Sequence, residues 1–463
     1  PAKRVRRRRM AAVAGPAVAL SLVAAACGGS SSTGSSAGAG SAKGGGVTVD
    51  GVHWPRWGKD IKLNVWTFGG EPGTGLSIKA FEKAYPDIKI HYSDVGGGTA
   101  EYAKLATVIH AGAGAPDVAL VEYDALPQFV SAKGLVNQEP YVGKWMSLVP
   151  AWVRAEVTFN GGVYDFPAGG GTMGLFSNQK LLSKYGLAIP KTYAQFASEA
   201  ATLHKDDPKV AMTYFPINDG GYIQALWMQA GAVPFTMSSS GTWTIDLDQP
   251  KIERVTSYWV NLVRKGLIPV YSDYTPTWEH AISAGTFATF LGASWEPGYG
   301  IAPYVKNGSQ SFVVTDMPQW SSSGTPIDAN WGGSGYVVTK QTKYPEAASL
   351  FAAFMDLGTV KQAMADGGSP PLVNNVDTYK EFKTGGKVKD FNQPNLNIVF
   401  NRLQKYVSTS FHFSPWYTEL GADLEVQLEA AVSGKQTAAQ ALSKTQSEIA
   451  SFARTQGYTV NTK

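Results

Sequence analysis

Hydrophobic and polar residues alternate with a period of two through Ile61-Leu63-Val65, as in a strand with one face buried. The period then lengthens to that of a helix at Leu76-Ile78-Ala80-Phe81-Ala84-Tyr85, and Pro86 ends the run. Alternation returns at Ile88-Lys89-Ile90-His91-Tyr92, helical spacing at Tyr102-Leu105-Ile109, and Asp117-Val118-Ala119-Leu120-Val121 is a continuous apolar strand. This βαβαβ order predicts an open α/β sheet, because parallel strands need crossover helices that cover the sheet faces. Ligands of such sheets gather at the carboxyl ends of the strands.

A second region of the same kind follows. Thr172 to Phe176 reads as a strand, Asn178 to Tyr185 as a short helix stopped by Gly186, and Pro190-Lys191-Thr192 opens another helix, with Thr192 and Gln195 as its capping box. Pro345 begins a helix that runs to Met355, with Ala347, Leu350, Phe351 and Phe354 on one face. Two amphipathic helices close the chain, one marked by Leu420, Leu424, Leu428 and Val432, the other by Leu442, Ile449 and Phe452. Trp227 and Trp259 lie inside helical stripes and read as core.

Before residue 60 the pattern is different. Lys3, Arg4 and Arg6 to Arg9 precede an apolar run, Met10 to Ala26, which closes on Val23-Ala24-Ala25-Ala26-Cys27. A basic stretch, an apolar stretch and small residues before a cleavage point are the parts of a secretory signal peptide. Gly15-Pro16 interrupts the run and argues against a transmembrane helix. Gly28 to Gly46 holds only Gly, Ser, Ala, Thr and Lys43, a flexible tether of about 20–25 Å reach. The segment resembles the lipobox of bacterial lipoproteins, with Ala24 where leucine is usual. The resemblance implies that Cys27 is lipidated and becomes the mature N-terminus. The expected organisation is thus a signal peptide over 1–26 and a lipidated cysteine with a flexible linker over 27–59. Either general or twin-arginine export fits the Arg8-Arg9 pair.

Charge and composition narrow the chemistry. The chain carries a formal charge of +4, and six cations lie in the expected signal, so the remainder is at −2 and a nucleic-acid partner loses its support. Cys27 is the sole cysteine, so no internal disulfide can form. The six histidines are scattered without metal-ligand spacing, and Gly96-Gly97-Gly98 lacks the Lys-Ser/Thr of a phosphate loop; no metal and no cofactor is implied. Thirteen tryptophans suit stacking on sugar rings. Trp66, Trp295 and Trp416 fall where a strand gives way to a turn or just before a helix. A glycoside hydrolase would use the same residue types, and Glu279 and Glu296 flank the Trp295 region.

Four segments, in order, resemble the extracellular solute-binding proteins of ABC transporters, in the large sugar-binding group that includes maltose-binding protein. They are Ile61-Lys62-Leu63-Asn64-Val65-Trp66 with Phe81-Glu82-Lys83; Ala115-Pro116-Asp117-Val118 with Tyr123-Asp124 and Gly134-Leu135; Gly174 to Leu182 with Pro190-Lys191-Thr192; and Gly332-Gly333-Ser334-Gly335 with Pro345-Glu346-Ala347-Ala348. The resemblance implies a two-lobe α/β periplasmic-binding-protein fold of type II, one lobe over 60–168 plus 330–372 and the other over 169–329 plus 373–463. It implies Asp124 as a carboxylate that accepts from sugar hydroxyls, Trp295 and Trp416 as stacking residues, Tyr222 as an aromatic contact, and Glu71, Trp331 and Trp66 at the cleft border. Gly220-Gly221 stands where maltose binders carry an acidic residue, and Val121 lies near a position where they carry tryptophan, so maltose itself is disfavoured.

The expected function is a monomeric, lipid-anchored binding protein, not an enzyme, held outside the cell. It would capture a mono- or oligosaccharide by hinge closure and deliver it to ABC permease subunits. An exported glycoside hydrolase, or a binding protein for a polyamine or a glycerol-phosphate conjugate, are the alternatives. A polyamine site needs several converging carboxylates; a phosphate site needs arginines.

Overall fold

The fold turns on one long strand shared between the two halves of the central sheet. In this computed structural model the described residues are 46–68, 74–305, 310–360, 372–374, 376–378, 380, 382, 388, 390–393 and 395–463. Glu71, Cys27 and the expected signal segment lie outside them. All described residues belong to one unit, Lys43–Lys463.

Strands β1 (Val47–Val49) and β2 (Val52–Trp54) form a hairpin. The first half of the sheet holds β3 (Ile61–Thr67), β4 (Ile88–Asp94) and β5 (Val118–Glu122), all parallel, in the order β4-β3-β5. Helices Thr74–Ala84 and Thr99–Ala111 make the two crossovers, as the βαβαβ pattern requires. A small hairpin, β6 (Thr158–Phe159) and β7 (Gly162–Val163), precedes β8 (Phe166–Asn178). Strands β9 (Phe235–Met237) and β10 (Trp243–Ile245) form a separate small sheet; β11 (Thr289–Ala293), β12 (Phe312–Thr315) and β13 (Asn330–Val338) return to the central one. Strand β14 (Val460–Thr462) brings the end of the chain back onto β10.

Strand β8 is the crossing element. Its first half, Phe166 to Thr172, pairs with β13, which in turn pairs with β5; its second half, Met173 to Asn178, pairs with β11 and β12. The sequence pattern located only Thr172–Phe176 of this strand, because Gly169-Gly170-Gly171 lacks the side chains from which alternation is read. Those glycines are needed where they are: a Cβ at Gly171 would collide with the Trp331 carbonyl. Helix Pro345–Leu357 packs on β8, β13 and the Thr74–Ala84 helix. Helices Tyr417–Val432 and Ala438–Thr455 pack on each other and on helices Gly220–Gln229 and Pro250–Arg264.

Several local expectations need amendment. The expected linker does not reach residue 59, since Trp54 is fully buried against Trp145 and Phe354, with ring centroids at 4.6 and 5.0 Å. Burying such a ring contributes about 1.5–3 kcal/mol, enough to hold the hairpin on the domain. Thr192 caps the helix Tyr193–Asp206 through the Gln195 amide, but the Gln195 side chain accepts from Lys191 rather than completing the box. The complete capping box is at Thr437 and Gln440. Trp227 and Trp259 are fully buried, as their spacing predicts. Among the described residues no helix is long and apolar enough to cross a membrane.

Candidate functional site

The carboxyl edge of the parallel strands and the crossing of β8 with β13 meet at one cluster of aromatic rings and carboxylates. Its scaffold is a bulge. Gly332 and Gly333 adopt φ of 69° and 86°, and the β13 register against β8 shifts between Asn330 and Gly333. Asn330 locks the bulge from within: its Oδ1 accepts from the Gly171 amide at 2.8 Å and its Nδ2 donates to the Gly332 carbonyl at 2.7 Å. Trp331 immediately precedes these two glycines in the bulge. Trp295, two residues beyond β11, donates its indole N–H to the Trp331 carbonyl at 3.1 Å.

The rings form a wall. Trp331 lies 5.0 Å from Trp295 at 52° and 5.1 Å from Tyr222, edge to face at 86°; Tyr274 is 6.1 Å from Trp295 and 6.4 Å from Trp331. Trp295 and Tyr274 remain half exposed, so the wall has an open face.

Around it stand five carboxylates, each approached by one aromatic donor. Tyr102 donates to Glu122 at 2.5 Å and Tyr274 to Glu296 at 2.6 Å. Tyr417 donates to Asp124 and the Trp331 indole to Asp219, while the Tyr214 hydroxyl approaches Asp273 without full hydrogen-bond geometry. One oxygen of Asp124 and one of Glu296 are buried with no partner.

Local sequence explains the convergence. Asp124 follows the end of β5, where the Tyr123 amide donates to the Gly333 carbonyl. Asp219 is the N-cap of helix Gly220–Gln229, its Oδ1 accepting from the Tyr222 amide at 2.8 Å. Gly220 and Gly221 then admit close neighbours. A Cβ at Gly220 would lie 2.8 Å from Gly421 Cα, and one at Gly221 would lie 2.8 Å from the Tyr417 hydroxyl and 3.5 Å from Asp124. Asp219 stands immediately before this glycine pair.

Crowding shows in the acidities. Burial, then the charges of Glu122 and Asp219, holds Asp124 well above the usual carboxylate range. Burial and Asp219 push Glu296 up to about 8, against the Tyr274 hydrogen bond. Burial likewise raises Glu122, Asp219 and Asp273. No lysine or arginine contributes to any of these five shifts. Next to this group, burial and the charges of Glu122 and Asp94 push Glu101 up to about 8, although Lys104 opposes them.

The structure gathers Asp124, Tyr222, Trp295 and Trp331 in this cluster. Trp416 lies apart from it, 3 % exposed and packed on Trp243, Phe235 and Tyr458 at 5.5, 6.2 and 5.4 Å. Its neighbour Tyr417 faces Asp124 instead. Trp66 stands at the carboxyl end of β3 with the Lys104 ammonium 4.2 Å from its ring centroid. Glu122, Asp219, Asp273, Tyr102, Tyr274 and Tyr417 escaped the sequence reading, and Glu296 entered only as a hydrolase candidate. Asp219 was the findable one, as an acidic N-cap before a Gly-Gly pair.

Known proteins share this architecture. The arabinooligosaccharide-binding protein of Bacillus subtilis is 25% identical over 355 residues, 73% of this chain and 79% of that protein. The structure superposes on the ABC-transporter binding protein of B. animalis subsp. lactis solved with beta-1,6-galactobiose at TM-score 0.74 and 24% identity, covering 87% of this chain and all of the other. It superposes on the galacto-N-biose-/lacto-N-biose I-binding protein of Bifidobacterium longum, solved with lacto-N-biose, at TM-score 0.73 and 19% identity, again over 87% and 100%. These likenesses identify the two-lobe α/β fold of maltose-binding-protein type, and all three are binding proteins rather than enzymes. Residues 74–355 match the bacterial extracellular solute-binding proteins, and the chain is a member of that family.

Proposed function

We propose that this chain is the sugar-capturing component of an ABC importer, tethered outside the cell by lipidated Cys27, and that it takes a mono- or oligosaccharide between lobes 60–168 plus 330–372 and 169–329 plus 373–463. The observation that carries the reading is the aromatic wall in which half-exposed Trp295 and Tyr274 pack on buried Trp331, set among carboxylates where β13 bulges against β8. Flat rings cover the C–H face of a pyranose, and carboxylate oxygens accept from its hydroxyls. Relatives that bind arabinooligosaccharides, galactobiose and lacto-N-biose support the carbohydrate class. A phosphate-bearing ligand is disfavoured, since no arginine acts on these five carboxylates.

The mechanism follows from where the contacts lie. Glu122 and Asp124 extend from β5, whereas Asp219, Asp273 and Glu296 belong to the other lobe. A sugar touching both sets binds the closed arrangement better than the open one, and only that difference shifts the population. About 2 kcal/mol of differential affinity changes the ratio roughly 30-fold. The closed complex then docks on permease subunits. The test is a thermal-shift screen against neutral and charged saccharides, followed by titration of intrinsic tryptophan fluorescence. Saturable stabilisation by a sugar is expected; hydrolysis of that sugar by the purified protein, or a response to phosphate esters alone, would overturn the reading.

A further inference from the structure

The polar groups of the cleft are strongly unbalanced. Five carboxylates, Glu122, Asp124, Asp219, Asp273 and Glu296, act on one another there, and Asp219 raises the pKa of each of the other four. The donors nearest to them, from Tyr102, Tyr417, Trp331 and Tyr274, are already directed at those carboxylates. What remains unpartnered is carboxyl oxygen, which accepts once a cation draws the group to its ionised form. Oδ1 of Asp124 and Oε2 of Glu296 are buried without a partner, in residues only 4% and 1% exposed.

A neutral hydroxyl both donates and accepts, so a neutral sugar needs donors from the protein as well as acceptors. An ammonium group donates three hydrogen bonds and accepts none, and its charge favours the ionised form of buried carboxyls on which no lysine or arginine acts here. The aromatic wall adds to the match, because the faces of Trp295, Trp331 and Tyr274 attract a cation. Resting on the reading that the cleft takes carbohydrate, we propose that its preferred ligand is an amino sugar, or an oligosaccharide containing one. Its primary ammonium would sit among Glu122, Asp124 and Asp219, and its ring against Trp295 and Trp331.

The experiment compares matched ligands by calorimetry at pH 7. For glucose, galactose and their 1,4-linked dimers, each neutral sugar is set against the form carrying free amines and the form carrying N-acetylated amines, with spermidine as a polyamine control. At least one free-amine sugar should bind tenfold or more tighter than both its counterparts, and raising salt from about 20 to about 500 mM should erode that preference. Asp219→Asn keeps the helix cap and should lower affinity for the amino sugar at least tenfold while affecting the neutral counterpart less than threefold. Asp124→Asn should act in the same direction, with unchanged circular dichroism as the folding control. A neutral or N-acetylated sugar that binds as tightly as its amine, or the absence of any tenfold preference, overturns the inference and leaves the carbohydrate reading standing. Spermidine binding tighter than every sugar overturns both.

Discussion

Two tryptophan pairs of nearly the same geometry sit in very different surroundings. Trp295 and Trp331 meet at 5.0 Å and 52°, Trp416 and Trp243 at 5.5 Å and 70°. Around the first pair are Asp219, Glu296 and the phenols of Tyr222 and Tyr274. Around the second are Phe235 and Tyr458, and the indole N–H of Trp416 has no partner among the described residues. Ring spacing therefore does not distinguish a recognition wall from a core. The polar groups on the rim do, because carboxylates at a ring edge are costly to bury unless a ligand uses them.

The largest expected effect divides the pairs by stability. Trp416→Ala removes a ring buried on all sides and should destabilise the protein by about 3–5 kcal/mol, seen as a fall in the urea midpoint at unchanged slope. Sugar affinity of the folded protein should stay within about twofold. An unchanged midpoint with lost binding would move the ligand to this second pair.

Trp295→Ala should do the converse. Losing a half-exposed stacking face costs about 1.5–3 kcal/mol of binding, or roughly 10- to 100-fold in Kd, with a smaller change in the denaturation midpoint. Fluorescence titration against the best sugar from the screen measures it. Equal losses of stability and affinity would make the first pair a core like the second.

The comparison also explains what could be read from the sequence. Strands β3 to β5 and their crossovers were legible because each apolar position in Ile61-Leu63-Val65 or Val118 to Val121 is buried, so period reports packing directly. Trp331 was legible only by family resemblance, since its direction is set by a bulge at two glycines that leave no pattern. The direction of Trp416 was not legible, because a tryptophan before a helix looks the same whether its ring turns outward or back onto Trp243. The carboxylates were harder still. Asp219, Asp273 and Glu296 come from separate loops and strand ends, and only tertiary folding makes them neighbours of Glu122 and Asp124.

The acidic rim predicts a pH signature that the second pair lacks. Glu296 and Glu101 are pushed up to about 8 in the folded protein, above their ordinary value, so the folded state holds more protons than the unfolded one between about pH 4.5 and 8. The stability they contribute is fully present below about pH 4.5 and is lost as pH rises through about 8. The melting temperature of ligand-free protein should therefore fall across this window. Glu101→Gln should flatten part of the slope, while Trp416→Ala, despite its larger cost, should leave the slope as it is. A melting temperature that falls as steeply from pH 5 to 8 in the Glu101→Gln background as in the parent would contradict the assignment.

Trp66 sharpens the comparison at its smallest scale. Its ring is half-buried at the end of β3, as Trp295 is half-buried beyond β11, yet one of its faces is already covered by the Lys104 ammonium. A cation at such a partly exposed site contributes about 0.5–1 kcal/mol, and the same lysine lowers the pKa of Glu101. A face held by a lysine is not free to stack on a sugar without displacing it. Trp66→Ala should thus weaken sugar binding less than about threefold, far below the effect of Trp295→Ala. Lys104→Ala frees the ring but leaves Glu101 without its opposing cation, so it should cost at most about 1 kcal/mol at pH 8 and less at pH 5, where Glu101 is protonated. Chemical denaturation at the two pH values reads this difference directly, and a larger cost at pH 5 would show that Lys104 acts by packing on Trp66 rather than through Glu101.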